Sequence, residues 1–295
     1  MDYKTVVTES LAVFKQYDVA MTLRQLFYRL VSKHIFPNNL NSYKQLSKML
    51  VKARETGQVP DRYLEDRTRT TIGGDGGFKD PESFVDAYTR WFKNSWERFT
   101  MPLWANQPKR IEIWVEKDAL SRLCSDASAK YHVITCPSKG YSSYSYVKKA
   151  VSRINSDYDG KDVTVLYFGD YDPSGVDIER DLGDRLARYG AHNVEVHRIA
   201  LTIEQIQKYN LPPFPAKSSD PRLAKFMADT GGSDAVELDA LEPPVLTDLI
   251  IEAIQNHMDK ILWAEKLTEI ATKKEELRKK FEGLRVEFED GDKDG

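Results

Sequence analysis

Short runs of β-branched and aromatic residues alternate with helical stretches from about Lys109 onward, and this alternation limits the possible folds most strongly. The four runs with strand character are residues 111–115, 133–135, 163–168 and 194–201. Strands that alternate with helices form βαβ units, and such units build a parallel sheet. The sequence therefore predicts an α/β fold for this region. Because ligands of open parallel sheets bind at the carboxyl ends of the strands, the residues after each run are the first candidates for a site.

Acidic side chains stand at two of these predicted strand ends. Glu116 directly follows the first run, and Asp170 and Asp172 follow the third. In extended backbone, side chains two residues apart share a face. Three carboxylates at one edge would repel one another without a cation, and hard oxygen ligands suit Mg²⁺. The sequence predicts a magnesium site here, although ordinary helix capping would also explain these acids.

The sequence before the alternating region has a different pattern of apolar residues. Apolar residues recur at helical spacing in residues 11–14, 23–31 and 46–51, which predicts a small, mostly helical domain. A glycine cluster at residues 73–77 is typical of a loop. We therefore expect two domains. The first domain comprises residues 1–107. The second comprises residues 108–295 and contains the sheet and a C-terminal helical extension.

The helical region contains a basic segment, although the net charge of the chain is −3. Residues 22–70 hold ten lysines and arginines but four acids. A helix, a turn, a basic second helix and a wing at residues 59–71 would form a winged-helix unit that binds double-stranded DNA. A solvated helical surface is the alternative. The candidate DNA-binding residues are Lys44, Lys48, Lys52, Arg54, Arg67 and Arg69.

Tyr28 and Arg24 are the candidate catalytic residues of the helical region. At about 100° per residue, the apolar residues of 23–31 form one stripe of a helix, and Tyr28 lies off that stripe. Arg24 is one helical turn away and would stabilise a phenolate or hold a phosphate. The alternative is that Tyr28 is a packing residue at the edge of the helix.

Three motifs in the α/β region resemble the Toprim domain, in the variant found in the DNA-cleaving subunit of topoisomerase VI and the related meiotic double-strand-break protein. They are Val115-Glu116-Lys117-Asp118-Ala119-Leu120, Lys139-Gly140-Tyr141 and Gly169-Asp170-Tyr171-Asp172-Pro173-Ser174-Gly175. The resemblance implies a Rossmann-like parallel sheet. It also implies that Glu116, Asp170 and Asp172 hold magnesium, with Glu116 taking part in catalysis.

The segment from Thr22 to Tyr28 resembles the tyrosine motif of the same family. Tyr28 falls at the position of the nucleophile and Arg24 at that of the family's arginine, while Gln25 and Phe27 depart from the family's Asp and first Tyr. The resemblance implies a winged-helix domain before the Toprim domain. It further implies a homodimer in which the tyrosine of one protomer meets the metal of the other, and an ATPase partner subunit for strand passage.

These features predict a magnesium-dependent enzyme that cleaves DNA by tyrosine transesterification, like the cleavage subunit of a type IIB topoisomerase. Two alternatives remain. One is a hydrolytic Toprim nuclease in which a metal-activated water attacks the phosphate. The other is a non-catalytic DNA-binding component of a larger complex. Without a P-loop or another Gly-rich nucleotide motif, the chain cannot by itself be a full ATP-driven topoisomerase.

Other features of the sequence exclude several classes of protein. No apolar run approaches the length that spans a membrane, and the first ten residues lack the apolar core of a secretory signal. We expect a cytoplasmic protein with no membrane partner. The two cysteines, Cys124 and Cys136, are too few for a disulfide framework and lack the spacing of a zinc site. The acids Glu237 and Asp239 are interpreted as structural rather than catalytic, and a role in supporting the metal ligands is the alternative.

Overall fold

The computed structural model describes residues 2–17, 20–64, 76–158 and 160–291, with side chains described up to residue 282. The chain divides into two compact units. The first combines residues 1–70 with residues 109–257, and the second combines residues 71–108 with residues 258–295. The first unit therefore contains residues from both sides of the domain boundary that the sequence predicts between residues 107 and 108.

A four-stranded, fully parallel sheet lies at the centre of the first unit. Its strands are β1 (Lys109–Val115), β2 (Ile134–Pro137), β3 (Asp162–Phe168) and β4 (Val194–Ala200), in the order β2-β1-β3-β4. The α/β class and the parallel sheet predicted from the sequence are confirmed. In the register, Val115 at the end of β1 lies opposite Pro137 of β2 and Phe168 of β3. The chain therefore leaves these three strands at one edge of the sheet.

Helices cover the sheet and bury its apolar side chains. The helices of this region are α5 (Asp118–Ser128), α6 (Tyr144–Asp157), α7 (Pro173–Arg188), α8 (Ile203–Lys208), α9 (Leu223–Thr230) and α10 (Pro243–His257). Every residue of β3 after Asp162 is buried, as expected for a strand covered on both faces. Trp114, Val147, Tyr167 and Leu182 belong to the main core cluster. A short antiparallel pair, β5 (Phe214–Pro215) and β6 (Asp234–Ala235), completes the unit.

A buried charge inside this core is paired with an arginine. Glu112 of β1 is 0 % exposed, and Arg153 of α6 donates to its two carboxylate oxygens at 2.9 Å each. The indole nitrogen of Trp114 donates to the same carboxylate at 3.0 Å, and the hydroxyl of Tyr158 donates at 2.6 Å. Because a buried carboxylate is costly unless it is paired and hydrogen-bonded, these contacts join α6 to β1 in one register.

Three helices precede the sheet: α1 (Tyr3–Tyr17), α2 (Leu23–Ser32) and α3 (Leu40–Glu55). Thr22 caps α2 in a reciprocal capping box with Gln25, and Asn39 caps α3. The helical character predicted for this region is therefore observed. The winged-helix assignment stays a prediction, and residues 65–71 of the proposed wing lie outside the described residues.

The helix α2 is more deeply buried than a one-sided apolar stripe predicts. Every residue from Gln25 to Val31 is buried, and Tyr28 is 1 % exposed although it lies off the stripe. The reason is that a second surface of α2 packs against residues 237–242, which are distant in the sequence.

The second unit consists of α4 (Pro81–Lys93), a connecting segment and the long helix α11 (Lys260–Gly291). The rings of Trp104 and Trp263 pack with centroids 5.5 Å apart, and Phe92 packs on Phe281 at 5.1 Å. In the described part of the chain, no helix is both long and apolar enough to cross a bilayer.

Candidate active site

The three acids predicted from the strand ends lie at the same edge of the sheet. The Glu116 carboxylate accepts the backbone N–H of Asp170 at 2.9 Å, so the segments after β1 and β3 contact each other directly. Asp172 caps α7 and accepts the N–H of Gly175 at 2.6 Å. A side chain at Gly175 would overlap the Asp170 carbonyl oxygen and would place its Cβ 3.1 Å from the Glu116 carboxylate. Close approach of the backbone therefore requires glycine here.

Burial gives two of these acids unusual protonation behaviour. Burial, reinforced by the charge of nearby Glu116, raises the pKa of Asp170 to about 8, although Lys117 acts in the opposite direction. Burial and then the charge of Asp172 raise the pKa of Glu116. Acids with raised pKa values favour a bound cation, because a cation stabilises their ionised forms.

Lys117 supplies one such positive charge. Its ammonium lies 2.8 Å from the Asp239 carboxylate, 2.9 Å from Glu237 and 3.2 Å from Asp170. Burial lowers the pKa of Lys117, but the neighbouring carboxylates outweigh burial and hold this pKa well above its usual value. Glu237 and Asp239, interpreted from the sequence as structural, thus contact the lysine of the Val-Glu-Lys motif.

Tyr28 lies near this group of charged side chains in its own chain. Arg24 lies 3.2 Å from the Glu237 carboxylate, and Tyr28, one helical turn further along α2, lies close enough for the charge of Glu237 to act on its hydroxyl. Burial, followed by the charge of Glu237, raises the pKa of Tyr28, while Lys117 and Arg24 oppose the rise. Arg24 also stacks over the ring of Tyr43 in α3, 4.6 Å from its centroid. Glu237 therefore holds Arg24 and acts on Tyr28 through its charge.

Residues 237–242, here called the bridging segment, connect the tyrosine helix to the sheet edge. The backbone N–H of Leu238 donates to Asp170 at 2.7 Å. On the helix side, Arg29 donates to the carbonyl of Ala240 and pairs with Glu242 at 3.1 Å. The position of Tyr28 relative to Asp170 is therefore fixed by one short stretch of chain. In the sequence, the only sign of this role is the pair of acids two residues apart.

The residues at the edge fit magnesium by their chemistry but do not form a ready-made coordination set. Carboxylate oxygens are the preferred ligands of this ion. Both oxygens of Asp170 are already engaged, one by the Leu238 N–H and the other by Lys117. Among the described residues, no three His, Cys, Asp or Glu side chains are grouped to hold a metal. A metal ligated by Asp170 would therefore replace or share the contact of Lys117 with this carboxylate.

The predicted DNA-binding residues that the structure describes are exposed side chains of α3. Lys44, Lys48 and Lys52 recur every four residues along α3 and are exposed, as is Arg54. The ammonium of Lys52 lies 5.2 Å from the ring centroid of Tyr3. Arg54 pairs with Asp61 at 2.7 Å, so part of its charge is neutralised. Arg67 and Arg69 lie outside the described residues.

The raised pKa of Asp170 predicts a specific dependence of stability on pH. The carboxyl titrates near 3.9 in an unfolded chain and at about 8 in the folded protein. Between these values only the folded state keeps the proton, so the contribution of Asp170 to the free energy of unfolding falls as pH rises. Without divalent cations, we expect wild type to lose stability relative to Asp170→Asn from pH 5 to pH 8, by about a few kcal/mol. Urea unfolding of both proteins at several pH values measures the difference, and parallel curves would contradict the assignment.

Of the residues selected from the sequence, five converge. Arg24 meets the acid cluster through Glu237, Tyr28 lies within reach of the charge of Glu237, and Glu116, Asp170 and Asp172 share the sheet edge. The structure adds Lys117, Glu237 and Asp239 to this group. No protein-family model matches the chain, and no match to it was found among curated proteins.

Proposed function

We propose that this chain cleaves DNA by tyrosine transesterification, with Tyr28 as the nucleophile and with magnesium as the cofactor. The observation that carries the proposal is the ion pair between Arg24, in the tyrosine helix, and Glu237, which shares Lys117 with Asp170. A buried tyrosine at the edge of a parallel sheet that also carries converging acids fits a phosphoryl-transfer site. On this proposal, the sheet is a Toprim domain and the helices before it form a winged-helix unit.

In the proposed reaction, the Tyr28 oxygen attacks the phosphorus of a phosphodiester. A phosphotyrosyl bond forms, the bond from phosphorus to the 3′ oxygen breaks, and a 3′-hydroxyl is released. Magnesium held by Glu116, Asp170 and Asp172 would bind phosphate oxygens and stabilise the charge that develops there. The guanidinium of Arg24 and the ammonium of Lys117 already oppose the rise in the Tyr28 pKa, and both would favour the phenolate.

The burial of Tyr28 adds a requirement to this proposal. The side chain is 1 % exposed, and its raised pKa keeps the hydroxyl protonated at neutral pH. Attack therefore needs a movement that admits the phosphate and a group that accepts the phenol proton. Tyr28 would therefore become reactive only after DNA binding has produced this movement.

The exposed lysines of α3 support double-stranded DNA as the substrate. Lys44, Lys48 and Lys52 lie on one face of α3 and would contact successive phosphates. Phosphate contacts position a protein on DNA without reading its sequence. A cytoplasmic location would give the enzyme access to this substrate.

The proposed function also includes two kinds of partner chain, a second copy of this chain and an ATPase subunit. A homodimer would cut both strands of a duplex, and an ATPase partner would supply strand passage. In the described residues, Tyr28 lies beside the acid cluster of its own chain. On this geometry, one chain contributes both the nucleophile and the metal ligands of a site.

A hydrolytic nuclease is the second candidate, and the burial of Tyr28 favours it. A side chain that is fully buried inside the protein is also what a packing tyrosine shows. Metal-activated water at the sheet edge would then attack the phosphate, and the products would carry no protein. A third candidate is a DNA-binding component without catalytic activity.

One experiment separates these functions. Duplex DNA labelled at its 3′ ends is incubated with the protein in Mg²⁺ or in EDTA, and the reaction is stopped with denaturant. Transesterification predicts label that stays on the protein in Mg²⁺ and none in EDTA. Protein-free cut DNA would instead indicate hydrolysis, and bound but uncut DNA would indicate a binding component.

A further inference from the structure

Arg198 of β4 contacts residues 169–175, here called the acidic segment, which join β3 to the first turn of α7. Its guanidinium donates to the carbonyl of Gly175 at 2.7 Å and to the carbonyl of Asp170 at 3.2 Å. A longer contact of 3.4 Å reaches the carbonyl of Gly169. Because its side chain is only 12 % exposed, Arg198 depends on protein partners for its hydrogen bonds.

Other contacts fix the guanidinium itself. It donates to the Glu179 carboxylate of α7 at 2.7 Å and to the carbonyl of Leu201 at 3.3 Å. It also lies over the ring of Tyr167 in β3, 5.2 Å from the ring centroid. A guanidinium is planar and its five N–H groups form a rigid fork, so a guanidinium held at these points presents its other donors in fixed directions. Arg198 therefore joins β3, β4 and α7 to the acidic segment.

The contacts of Arg198 with the acidic segment are made to backbone carbonyls, and neighbouring backbone N–H groups bind the proposed metal ligands. The N–H of Asp170 donates to the Glu116 carboxylate at 2.9 Å, while the carbonyl of Asp170 accepts from Arg198. At Gly175, the N–H donates to the Asp172 carboxylate at 2.6 Å and the carbonyl accepts from Arg198. The orientation of this backbone, and with it the direction of the carboxylates, therefore depends on Arg198.

We propose that Arg198 is a positioning residue for the magnesium site, an inference that rests on the metal site of the proposed function. Arg198 holds the acidic segment in the arrangement in which Glu116, Asp170 and Asp172 face one cation. Groups that orient metal ligands raise the affinity for the metal without contacting it, and loss of such a group typically lowers the affinity by about 10-fold to 100-fold.

The rigid fork of Arg198, and not its charge alone, is the property that this role requires. A lysine at this position would keep the positive charge, but its three donors all lie on one nitrogen at the end of a flexible chain. One ammonium cannot hold the Glu179 carboxylate and the carbonyls of the acidic segment in the directions that the guanidinium serves. The variant Arg198→Lys therefore separates the geometry of the side chain from its charge.

The first test is calorimetric titration of the purified proteins with Mg²⁺, comparing Arg198→Lys with Arg185→Lys. Arg185 of α7 is a matched control because it is 13 % exposed, pairs with Asp181 and donates to a backbone carbonyl, that of Ser142. We expect the Mg²⁺ affinity to fall by about 10-fold to 100-fold for Arg198→Lys and to change by about twofold or less for Arg185→Lys. Wild-type affinity in Arg198→Lys would overturn the proposal.

A second measurement separates the positioning of metal ligands from a purely structural role. Urea unfolding of wild type, Arg198→Lys and Arg198→Met is followed in EDTA and in Mg²⁺. A structural role alone would lower the free energy of unfolding equally in both conditions. The proposal predicts in addition that both variants gain less stability from Mg²⁺ than wild type does. An equal gain in wild type and Arg198→Lys would contradict the proposal, and this comparison decides the test if Arg198→Met does not fold.

The outcome for Arg198 can be distinguished from the outcome for strand cleavage. If Arg198→Lys binds Mg²⁺ more weakly than wild type but wild type forms no covalent complex with DNA, the role of Arg198 is supported and the proposed function fails. If wild type binds no Mg²⁺, the proposed metal site is wrong, and the role of Arg198 is overturned with it.

Discussion

Replacing Tyr28 with phenylalanine is expected to abolish the covalent complex between protein and DNA. The substitution removes one oxygen and keeps the ring that fills the buried space in α2. Glu237 keeps Lys117 and Arg24 as partners, so the fold should be retained. Loss of a nucleophile typically costs about 10⁴-fold or more in rate, which would remove the adduct from detection. Denaturing gels with labelled DNA measure the result.

Tyr43→Phe is the matched control for this prediction. Tyr43 lies in the neighbouring helix α3, stacks under Arg24 and keeps its ring in the variant. We expect the control to form the adduct at nearly the wild-type level. An adduct that survives in Tyr28→Phe would assign the nucleophile to another residue, and loss of the adduct in both variants would point to a general defect of the helical region.

Replacing Arg153 with methionine is expected to give the largest loss of stability. Arg153 makes two hydrogen bonds of 2.9 Å to Glu112, which is 0 % exposed. Without it, the carboxylate is buried with no opposite charge, while Trp114 and Tyr158 still donate to it. Breaking a buried pair in this way costs about 3 to 5 kcal/mol of the free energy of unfolding. Urea unfolding at neutral pH measures the change.

Two control proteins test the cause of that loss. Arg122→Met removes an arginine whose pair with Asp126 is exposed, so we expect a change of about 1 kcal/mol or less. The double variant Glu112→Leu with Arg153→Met removes both charges and should recover much of the lost stability. A double variant that is as unstable as Arg153→Met would show that packing, and not the unpaired carboxylate, determines the effect.

The sheet and its acidic edge were predictable because both depend on local sequence. Continuous apolar runs such as the one that ends at Phe168 indicate buried parallel strands. Once the strands are parallel, Glu116 and Asp170 must lie at the same edge, and the contact of the Glu116 carboxylate with the Asp170 N–H is observed. The boundaries differ by a few residues: β2 extends from Ile134 to Pro137, whereas the apolar run covers residues 133–135.

The remainder of the site could not be predicted, because it depends on contacts between residues far apart in the sequence. Lys117 meets Glu237 and Asp239 across 120 and 122 positions. Helical periodicity placed Tyr28 on the flank of α2, but periodicity cannot reveal that the bridging segment covers that flank. Glu237 is preceded by Ala235 and Val236 and followed by Leu238, so by itself it resembles an ordinary polar residue at the end of a strand.

The most direct test of the account is to identify the residue that becomes attached to DNA. The covalent complex is trapped with denaturant, digested with nuclease and trypsin, and analysed by mass spectrometry. Trypsin cuts after Arg24 and Arg29, so Tyr28 lies in the peptide of residues 25–29. If Tyr28 is the nucleophile, this peptide carries a nucleotide phosphate on Tyr28. A nucleotide on a different tyrosine, or an unmodified peptide together with protein-free cut DNA, would contradict it.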